Sequence, residues 1–266
     1  MTIRKAYADT PEGQIHYRYL LAESAHSCPV IYLHKSASSS RMFEALISSL
    51  GNDFSGYALD NPGFGNSYDP AHAPDTGYYV EVLMAAINGI GLQRFHLVGH
   101  HTGACFAVEM AVRYPQRVQS LVLMGPAILT PRERDDFRQH YSTPFNRPVL
   151  DGSHLQLTWD YLARMGVGPS LDLHQREFLD HCRAWQGRCQ AYDTVWNQDF
   201  HALFLQVTCP VLVTCAEDDV LWPFLARAQR LRPEVTCVVT GGANFEPDRD
   251  CAGNSAALRG FFALLH

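Results

Sequence analysis

The stretch "LVGHHTGACFA", residues 97–107, decides how the fold is interpreted. Apolar residues 95–98 predict a buried strand and residues 102–113 predict a helix, so residues 99–103 form a sharp strand-to-helix turn. The letters of this turn, Gly-His-His-Thr-Gly, place small residues on both sides of His101. Small flanking residues permit a close crossing of strand and helix, and the turn then presents the His101 side chain at the end of the strand.

Short apolar stretches alternate with helical stretches before and after this turn. Strands are predicted at 30–34, 56–60, 95–98 and 118–124, and helices at 40–50, 78–90 and 102–113. Two alternating stretches, 3–8 and 14–20, precede them and predict a hairpin. This alternation is typical of βαβ units, so we predict an α/β fold with a mostly parallel sheet and flanking helices.

The alternation stops after residue 128. Residues 129–205 are polar, aromatic-rich and helical in pattern, with helices predicted at 131–140, 153–165 and 173–196. Strands return at 211–215 and 235–240, and a final helix is predicted at 255–265. We therefore predict a core formed by 1–128 and 206–266, with residues 129–205 inserted as a helical cap, or lid.

Composition excludes several classes of protein. A chain of 266 residues with 47% hydrophobic and 18% charged residues is typical of a globular protein, and a net charge of -6 disfavours nucleic acid as a partner. The eight cysteines are dispersed without C-x-x-C pairs, which predicts reduced, mostly buried thiols. Without a signal-like or membrane-spanning apolar run, we expect a cytoplasmic protein with no membrane partner, and a homodimer stays open.

Four motifs occur in a characteristic order along the chain. They are "LHKSASSSRMF" (33–43), "DNPGFGNS" (60–67), "GHHTG" (99–103) and "AEDDVLWP" (216–223). Together they resemble the α/β-hydrolase superfamily with a helical cap. The resemblance implies a nucleophile elbow in which His101 replaces the usual serine. It also implies an oxyanion hole formed by the backbone amides of Ser36 and Thr102.

The chain departs from the family pattern at further positions. Asp219, four residues before Pro223, matches the acid of the catalytic triad, but "TGGANFEPD" (240–248) places Asn244 where the triad histidine belongs. Lys35 replaces the glycine that follows His34 in the family's oxyanion loop, so either the loop has a different conformation or Lys35 is held at the site for its ammonium group. An atypical catalytic triad is therefore expected.

The departures from the family pattern lead to a hypothesis for catalysis. An imidazole titrates near neutral pH, so His101 could act as base or nucleophile without a second histidine. Asn244 would hydrogen-bond both Asp219 and His101, or an ordered water, and orient the ring. The resemblance then implies a cofactor-independent enzyme that acts on a small hydrophobic carbonyl compound, such as an ester, lactone or diketone. Hydrolysis and proton transfer of the lyase or isomerase type both remain open.

Two other hypotheses are alternatives to an enzyme that uses His101. Loss of two triad residues is also compatible with a catalytically inactive scaffold that binds a ligand or a protein partner. A metal site made by His34, His100 and His101 with an aspartate is disfavoured, because adjacent histidines project in different directions and known metal motifs are absent. We therefore predict no metal ion.

Other side chains are given more modest roles. His34 is expected to support the oxyanion loop near the substrate, Trp222 to edge the site, and Cys105 to fill the core. One cap histidine could supply the missing imidazole; the candidates are His140, His154, His174, His181 and His201. The aromatic residues that could line a pocket are Trp159, Tyr161, Trp185, Tyr192, Trp196 and Phe200.

Overall fold

The computed structural model describes residues 2–23 and 28–265. Its centre is a single eight-stranded sheet, built from β1 (Arg4–Asp9), β2 (Gln14–Leu20), β3 (Val30–Leu33), β4 (Gly56–Leu59), β5 (Phe95–His100), β6 (Val118–Met124), β7 (Val211–Ala216) and β8 (Thr236–Thr240). The strand order is β1-β2-β4-β3-β5-β6-β7-β8. The first two pairings, β1 with β2 and β2 with β4, are antiparallel, and all later pairings are parallel. The predicted α/β fold class is confirmed.

Helices cover both faces of this sheet. They are α1 (Glu44–Leu50), α2 (Thr76–Ile90), α3 (Thr102–Arg113), α4 (Pro131–Tyr141), α5 (Ser153–Arg164), α6 (Leu171–Arg183), α7 (Trp185–Val195), α8 (Phe200–Gln206), α9 (Ala226–Leu231), α10 (Glu246–Arg249) and α11 (Cys251–Ala263). Successive strand residues point to opposite faces. Leu97 therefore joins one apolar cluster with α2 and α3, whereas Val98 joins another with α1 and α11. Both faces of the central strands are buried, as is usual in parallel sheets.

Five helices, α4 to α8, lie between β6 and β7 in the chain. The prediction of one continuous helix over 173–196 is wrong, because α6 ends and α7 begins at Ala184, whose φ of -98° and ψ of 25° are not helical. The break lets α7 bring Gly187 against Gly63, where a Cβ atom on Gly187 would lie 2.3 Å from the Gly63 carbonyl oxygen. The short helix α8 was not predicted.

The turn between β5 and α3 packs closely against neighbouring backbone, as its glycines predict. A Cβ atom on Gly103 would lie 2.1 Å from the Leu33 carbonyl oxygen, and one on Gly99 would lie 2.4 Å from the Gly103 carbonyl oxygen. His101 has a φ of 49° and a ψ of -109°, a backbone conformation that costs a non-glycine residue free energy. The turn therefore holds His101 in a strained and well-defined position at the carboxyl end of β5.

Two further features bear on the sequence predictions. All eight cysteines are free, but only Cys105 and Cys215 are buried, so the expectation of mostly buried thiols is wrong. Within residues 2–23 and 28–265, no helix is long and apolar enough to cross a bilayer.

Candidate active site

His101 forms a direct pair with Asp219, which lies in the loop after β7. The His101 Nε2 atom is 2.8 Å from Asp219 Oδ2, and Asp219 Oδ1 accepts the Leu221 backbone N–H at 2.7 Å. The Asp219 side chain is fully buried and the His101 side chain is 15% exposed. Because a carboxylate only accepts hydrogen bonds, Nε2 carries a hydrogen and donates it to Asp219. Among the described residues, Nδ1 has no hydrogen-bond partner.

Gly125, directly after β6, makes room for the His101 ring. A Cβ atom on Gly125 would lie 2.6 Å from both Nε2 and Cδ2 of that ring, and Gly125 has a φ of 54°. Two separate reasons thus require a glycine at this position: the positive φ and the lack of space for a Cβ atom beside the His101 ring. Sequence reasoning missed this residue, although the Gly-Pro pair that follows the strand was a local signal.

His100 lies beside His101 instead of pointing away from it. The two ring centroids are 4.2 Å apart, because the positive φ at His101 turns both rings to the same side. Neither nitrogen of His100 has a hydrogen-bond partner in the described chain, and burial, with His101 nearby, holds its pKa well below the usual value. The expectation that adjacent histidines project in different directions is wrong at this turn.

The donor atoms of His100, His101 and Asp219 lie within 4.8 Å of one another, so this group could hold a metal ion, as could Cys215, Asp219 and Glu246. His34 does not belong to either group. Its Nε2 accepts the Asn61 backbone N–H at 2.9 Å, and its Nδ1 is 2.7 Å from the Lys35 carbonyl oxygen. Both ring nitrogens of His34 are therefore used to support the loop, and none is left for a substrate.

Asn244 does not bridge His101 and Asp219, so the hydrogen bonds expected of it are wrong. Its amide nitrogen donates to the Met165 carbonyl at 2.8 Å, and its amide oxygen accepts the Val220 N–H at 3.4 Å. The physical reason is that His101 already reaches Asp219 directly. The amide of Asn244 instead ties the loop after β8 to the residue that follows α5.

Lys35 is buried in a polar network between the oxyanion loop and α6. Its ammonium donates to the Asn244 carbonyl at 3.0 Å, lies 3.5 Å from Glu177 Oε2, and sits 3.4 Å from the centre of the Phe245 ring. Burial lowers the pKa of Lys35, and the Glu177 carboxylate opposes that effect. These protein groups surround the ammonium, so the geometry favours a role in positioning the loop over direct binding of a substrate.

Glu177 is the centre of this network on the α6 side. It accepts hydrogen bonds from Ser38 Oγ at 3.0 Å and from Arg176 at 2.7 Å, and Arg176 also binds Asp248. Burial alone would raise the pKa of Glu177, but Lys35 and Arg176 outweigh it and hold that pKa at about 2. Glu177 is therefore an anion at neutral pH, and it anchors α6 to the loop.

The two amides expected to form an oxyanion hole are unequal. The Ser36 N–H points at Thr102 Oγ1 at 3.4 Å, a long hydrogen bond, whereas Thr102 begins α3 and its amide belongs to the first turn, which lacks intrahelical partners. The Ser36 carbonyl accepts the Tyr192 hydroxyl at 3.3 Å. The Thr102 amide is thus the better placed donor for a developing oxyanion.

Two adjoining cavities meet at His101. One is mainly apolar and is lined by His101, Thr102, Cys105, Ala127, Phe137, Tyr141, Tyr192, Val195, Trp196, Val220 and Leu221. The other is more polar and is lined by Lys35, Ser36, His101, Tyr141, Tyr161, Leu162, Met165, His181, Tyr192, Val220, Asn244 and Phe245. His101 belongs to both cavities, so a bound molecule could extend to either side of its ring.

Only some of the aromatic residues expected to line a pocket belong to these two cavities. Tyr161, Tyr192 and Trp196 line a cavity, whereas Trp159, Trp185 and Phe200 do not. Trp222, which was expected at the edge of the site, is also absent from both linings and packs against the main apolar cluster. Its neighbour Leu221 lines the apolar cavity instead. Sequence reasoning missed Phe137 and Tyr141, although their spacing of four residues on the polar helix α4 was a usable signal.

Two groups near the site have shifted pKa values; His181 was a candidate from the sequence and Glu246 was not. Among the cap histidines, His181 lines the polar cavity, and burial lowers its pKa to about 4, so its ring is neutral at pH 7. Glu246, which was missed, is fully buried, and its carboxylate accepts from Thr240 at 2.7 Å and from the Ala216 N–H at 3.0 Å. Burial, reinforced by Asp219, raises the pKa of Glu246 to about 8.

Comparison with known proteins identifies the family. Residues 29–245 match the family model of the alpha/beta hydrolase fold. The chain is 26% identical over 211 residues to a fluoroacetate dehalogenase from Burkholderia sp, covering 69% of each protein. It is 36% identical over 67 residues to a 2-hydroxy-6-oxononadienedioate/2-hydroxy-6-oxononatrienedioate hydrolase from Pseudomonas sp, covering 25% of this chain and 24% of that protein.

Solved structures agree with this match. The bromoperoxidase from Bacillus anthracis superposes with a TM-score of 0.83 at 17% identity, over 98% of this chain and 100% of that one. At this level of identity the likeness concerns the fold, whereas the family model covers most of the chain. The protein therefore belongs to the α/β-hydrolase fold family and is an enzyme of that type.

Proposed function

We propose that this small-molecule hydrolase is cofactor-free and uses His101, held by Asp219, as its catalytic base. The observation that carries the proposal is the 2.8 Å contact between His101 Nε2 and Asp219 Oδ2. In a conventional triad the histidine comes from the last loop and the elbow supplies the nucleophile. Here the elbow residue itself is the imidazole, so the His-Asp half of the triad is retained while the elbow nucleophile is lost.

The geometry supports a simple proton-transfer chemistry. Asp219 accepts the Nε2 hydrogen, so Nδ1 of His101 can take a proton from a water molecule or from an acidic C–H group. The buried carboxylate then stabilises the imidazolium that forms. The Thr102 amide and the positive end of α3 would stabilise an oxyanion on the substrate carbonyl. Hydrolysis through an activated water molecule and proton abstraction beside a carbonyl use the same arrangement.

The cavities support a hydrophobic carbonyl compound as substrate, such as an ester, lactone or diketone. Trp196, Phe137 and Val195 offer apolar surface on one side of His101. The named activities of the relatives, dehalogenation of fluoroacetate and hydrolysis of an oxo-dienedioate, likewise concern small organic molecules. We further propose that residues 129–205 act as the lid of this site, and that the enzyme works in the cytoplasm without a metal ion.

Turnover by variants of the dyad tests the proposal. We expect the wild type to release nitrophenol from p-nitrophenyl acetate or to turn over a member of a lactone and β-diketone panel. His101→Ala and Asp219→Asn should each lower kcat by about 10²- to 10⁴-fold, because they remove the base or its orienting carboxylate. His140→Ala is the matched control, since His140 lies on the exposed side of α4. Turnover that survives His101→Ala would refute the proposal.

The panel also separates the two kinds of chemistry. A β-diketone that exchanges its acidic C–H for deuterium in a His101-dependent way, without cleavage, indicates proton transfer of the lyase or isomerase type. Cleavage of esters or lactones indicates hydrolysis. An inactive scaffold would leave both readouts silent in the wild type, even when a panel member binds.

A further inference from the structure

The Ser36 side chain has no role in the mechanism above, yet it is placed at the site. Its hydroxyl oxygen is buried and has no hydrogen-bond partner in the part of the chain that the structure describes. Ser36 lines the polar cavity together with His101. An unpaired buried hydroxyl costs free energy, so such a group in a native protein calls for an explanation. A reaction that uses the hydroxyl supplies one.

We propose that Ser36 is the nucleophile of this enzyme and that His101 is its base. Ser36, His101 and Asp219 then form a Ser-His-Asp triad in which the serine comes from the loop after β3 and the histidine from the elbow. A triad is defined by geometry and by the role of each group, whatever the chain order. The inference rests on the proposed function, because it needs the His101-Asp219 pair to act as a base.

The backbone brings Ser36 next to the residue that follows His101. The Ser36 N–H is 3.4 Å from the hydroxyl of Thr102, which directly follows His101. Asp219 occupies Nε2 of His101, so Nδ1 is the nitrogen left for a hydroxyl proton. The hydrogen bond between Ser36 and His101 is absent from the structure. Catalytic contacts of this kind often tighten only when the substrate binds.

The neighbouring hydroxyl groups are less suited to this role. Ser38 Oγ donates to Glu177 at 3.0 Å, and Ser39 Oγ donates to Asp180 at 2.7 Å, so both are engaged by acidic side chains of α6. Thr102 Oγ1 accepts the Ser36 N–H and lines the apolar cavity. Like Ser36 Oγ, Ser40 Oγ is buried and has no hydrogen-bond partner among the described residues, but Ser40 lines neither cavity. Ser40 is therefore a matched control.

The reaction with an ester proceeds in two balanced steps. Ser36 Oγ attacks the carbonyl carbon while its proton passes to His101 Nδ1, and the same proton then goes to the alkoxide as the carbon–oxygen bond breaks. This leaves an acyl group on Ser36 and releases the alcohol. Water attacks the acyl carbon while His101 takes its proton. The proton returns to Ser36 Oγ as the acid leaves.

Covalent labelling with a fluorophosphonate, followed by peptide mass spectrometry, tests the assignment. We expect one phosphonyl adduct, located on Ser36, formed about 100-fold more slowly in His101→Ala and absent in Ser36→Ala. Ser40→Ala should label at the wild-type rate. Turnover of p-nitrophenyl acetate should fall at least 100-fold in Ser36→Ala. The near-isosteric Ser36→Cys, whose folding is checked by its thermal melting curve, should accumulate an acetyl thioester that adds about 42 Da to the protein.

The outcomes distinguish this inference from the proposed function. If Ser36→Ala hydrolyses the ester at the wild-type rate while His101→Ala is inactive, water is the nucleophile and only the Ser36 assignment is overturned. An adduct on another residue, or a wild type that turns over ester without ever being labelled, overturns it equally. If His101→Ala retains full turnover, the proposed function and the Ser36 assignment fail together.

Discussion

At the scale of the residue, His101 combines a strained backbone with an imidazole paired to a carboxylate. Its φ of 49° and ψ of -109° are suited to glycine, but glycine has no imidazole with which to reach Asp219. Strained backbone of this kind is stored at functional sites and is compensated by the surrounding structure. The close contacts of Gly99 and Gly103 with neighbouring backbone supply that compensation, because they leave the turn no room to relax.

Two substitutions at this position measure the strain. Both His101→Ala and His101→Gly remove the ring, but only glycine accepts the positive φ, so His101→Gly should be more stable by about 1 kcal/mol in urea unfolding. The same pair at Asp136, an exposed position in the middle of α4, should show the opposite order by a similar amount, because glycine destabilises a helix interior. An alanine variant at position 101 as stable as the glycine variant would mean that the turn carries no strain.

The sequence allowed part of this site to be predicted. The elbow and Asp219 were found because each lies in a short motif whose spacing is local, and a local motif can be recognised without the fold. The partners of Asn244 and the contact of Gly125 with the His101 ring were not found, since they join segments distant along the chain. Such contacts depend on where the strands end relative to one another.

At the scale of the element, α6 is held to the core by buried charges. Glu177 and Arg176 project from α6 toward Lys35 and Asp248, and Ser38 and Ser39 of the loop after β3 bind the same helix. A buried ion pair contributes little net stability, but removal of one partner leaves an uncompensated charge. The network therefore makes the placement of α6 dependent on matched charges. The pattern of residues 173–196 predicted helix here, but it revealed neither the break at Ala184 nor these partners.

A double-mutant cycle tests this dependence. Lys35→Met should lower the free energy of unfolding by about 3 kcal/mol, because Glu177 loses a buried cation, and addition of Glu177→Gln should restore much of that loss. The exposed pair Arg138 and Asp135 serves as the control, and its cycle should give a coupling below about 1 kcal/mol. Additive effects of Lys35→Met and Glu177→Gln would show that the two charges are not coupled. Urea denaturation gives each value.

At the scale of the whole molecule, Glu246 links stability to pH. Burial and Asp219 raise its pKa to about 8 in the folded protein, whereas an unfolded chain releases that proton near pH 4.5. Folding therefore binds a proton between these values. The stability that the neutral carboxyl supplies is complete below about pH 4.5 and is lost as pH rises toward 8.

Replacement by glutamine removes this dependence. Glu246→Gln keeps an acceptor for Thr240 but cannot ionise, so its Tm should fall less than that of the wild type between pH 5 and pH 8. The difference corresponds to a free energy of order 1 kcal/mol per pH unit. Glu12→Gln, at an exposed position, should follow the wild-type curve. Parallel melting curves for the wild type and Glu246→Gln at every pH would contradict the shifted ionisation.

The contact between the His100 and His101 rings gives the molecule an internal indicator. The His100 ring is buried, its pKa lies well below the usual value, and its centroid is 4.2 Å from the centroid of the His101 ring. The change of charge on His101 must therefore shift the nuclear magnetic resonance signals of the His100 ring nitrogens. Spectra of ¹⁵N-labelled histidine would report the protonation of His101 from a neighbour that lines neither cavity.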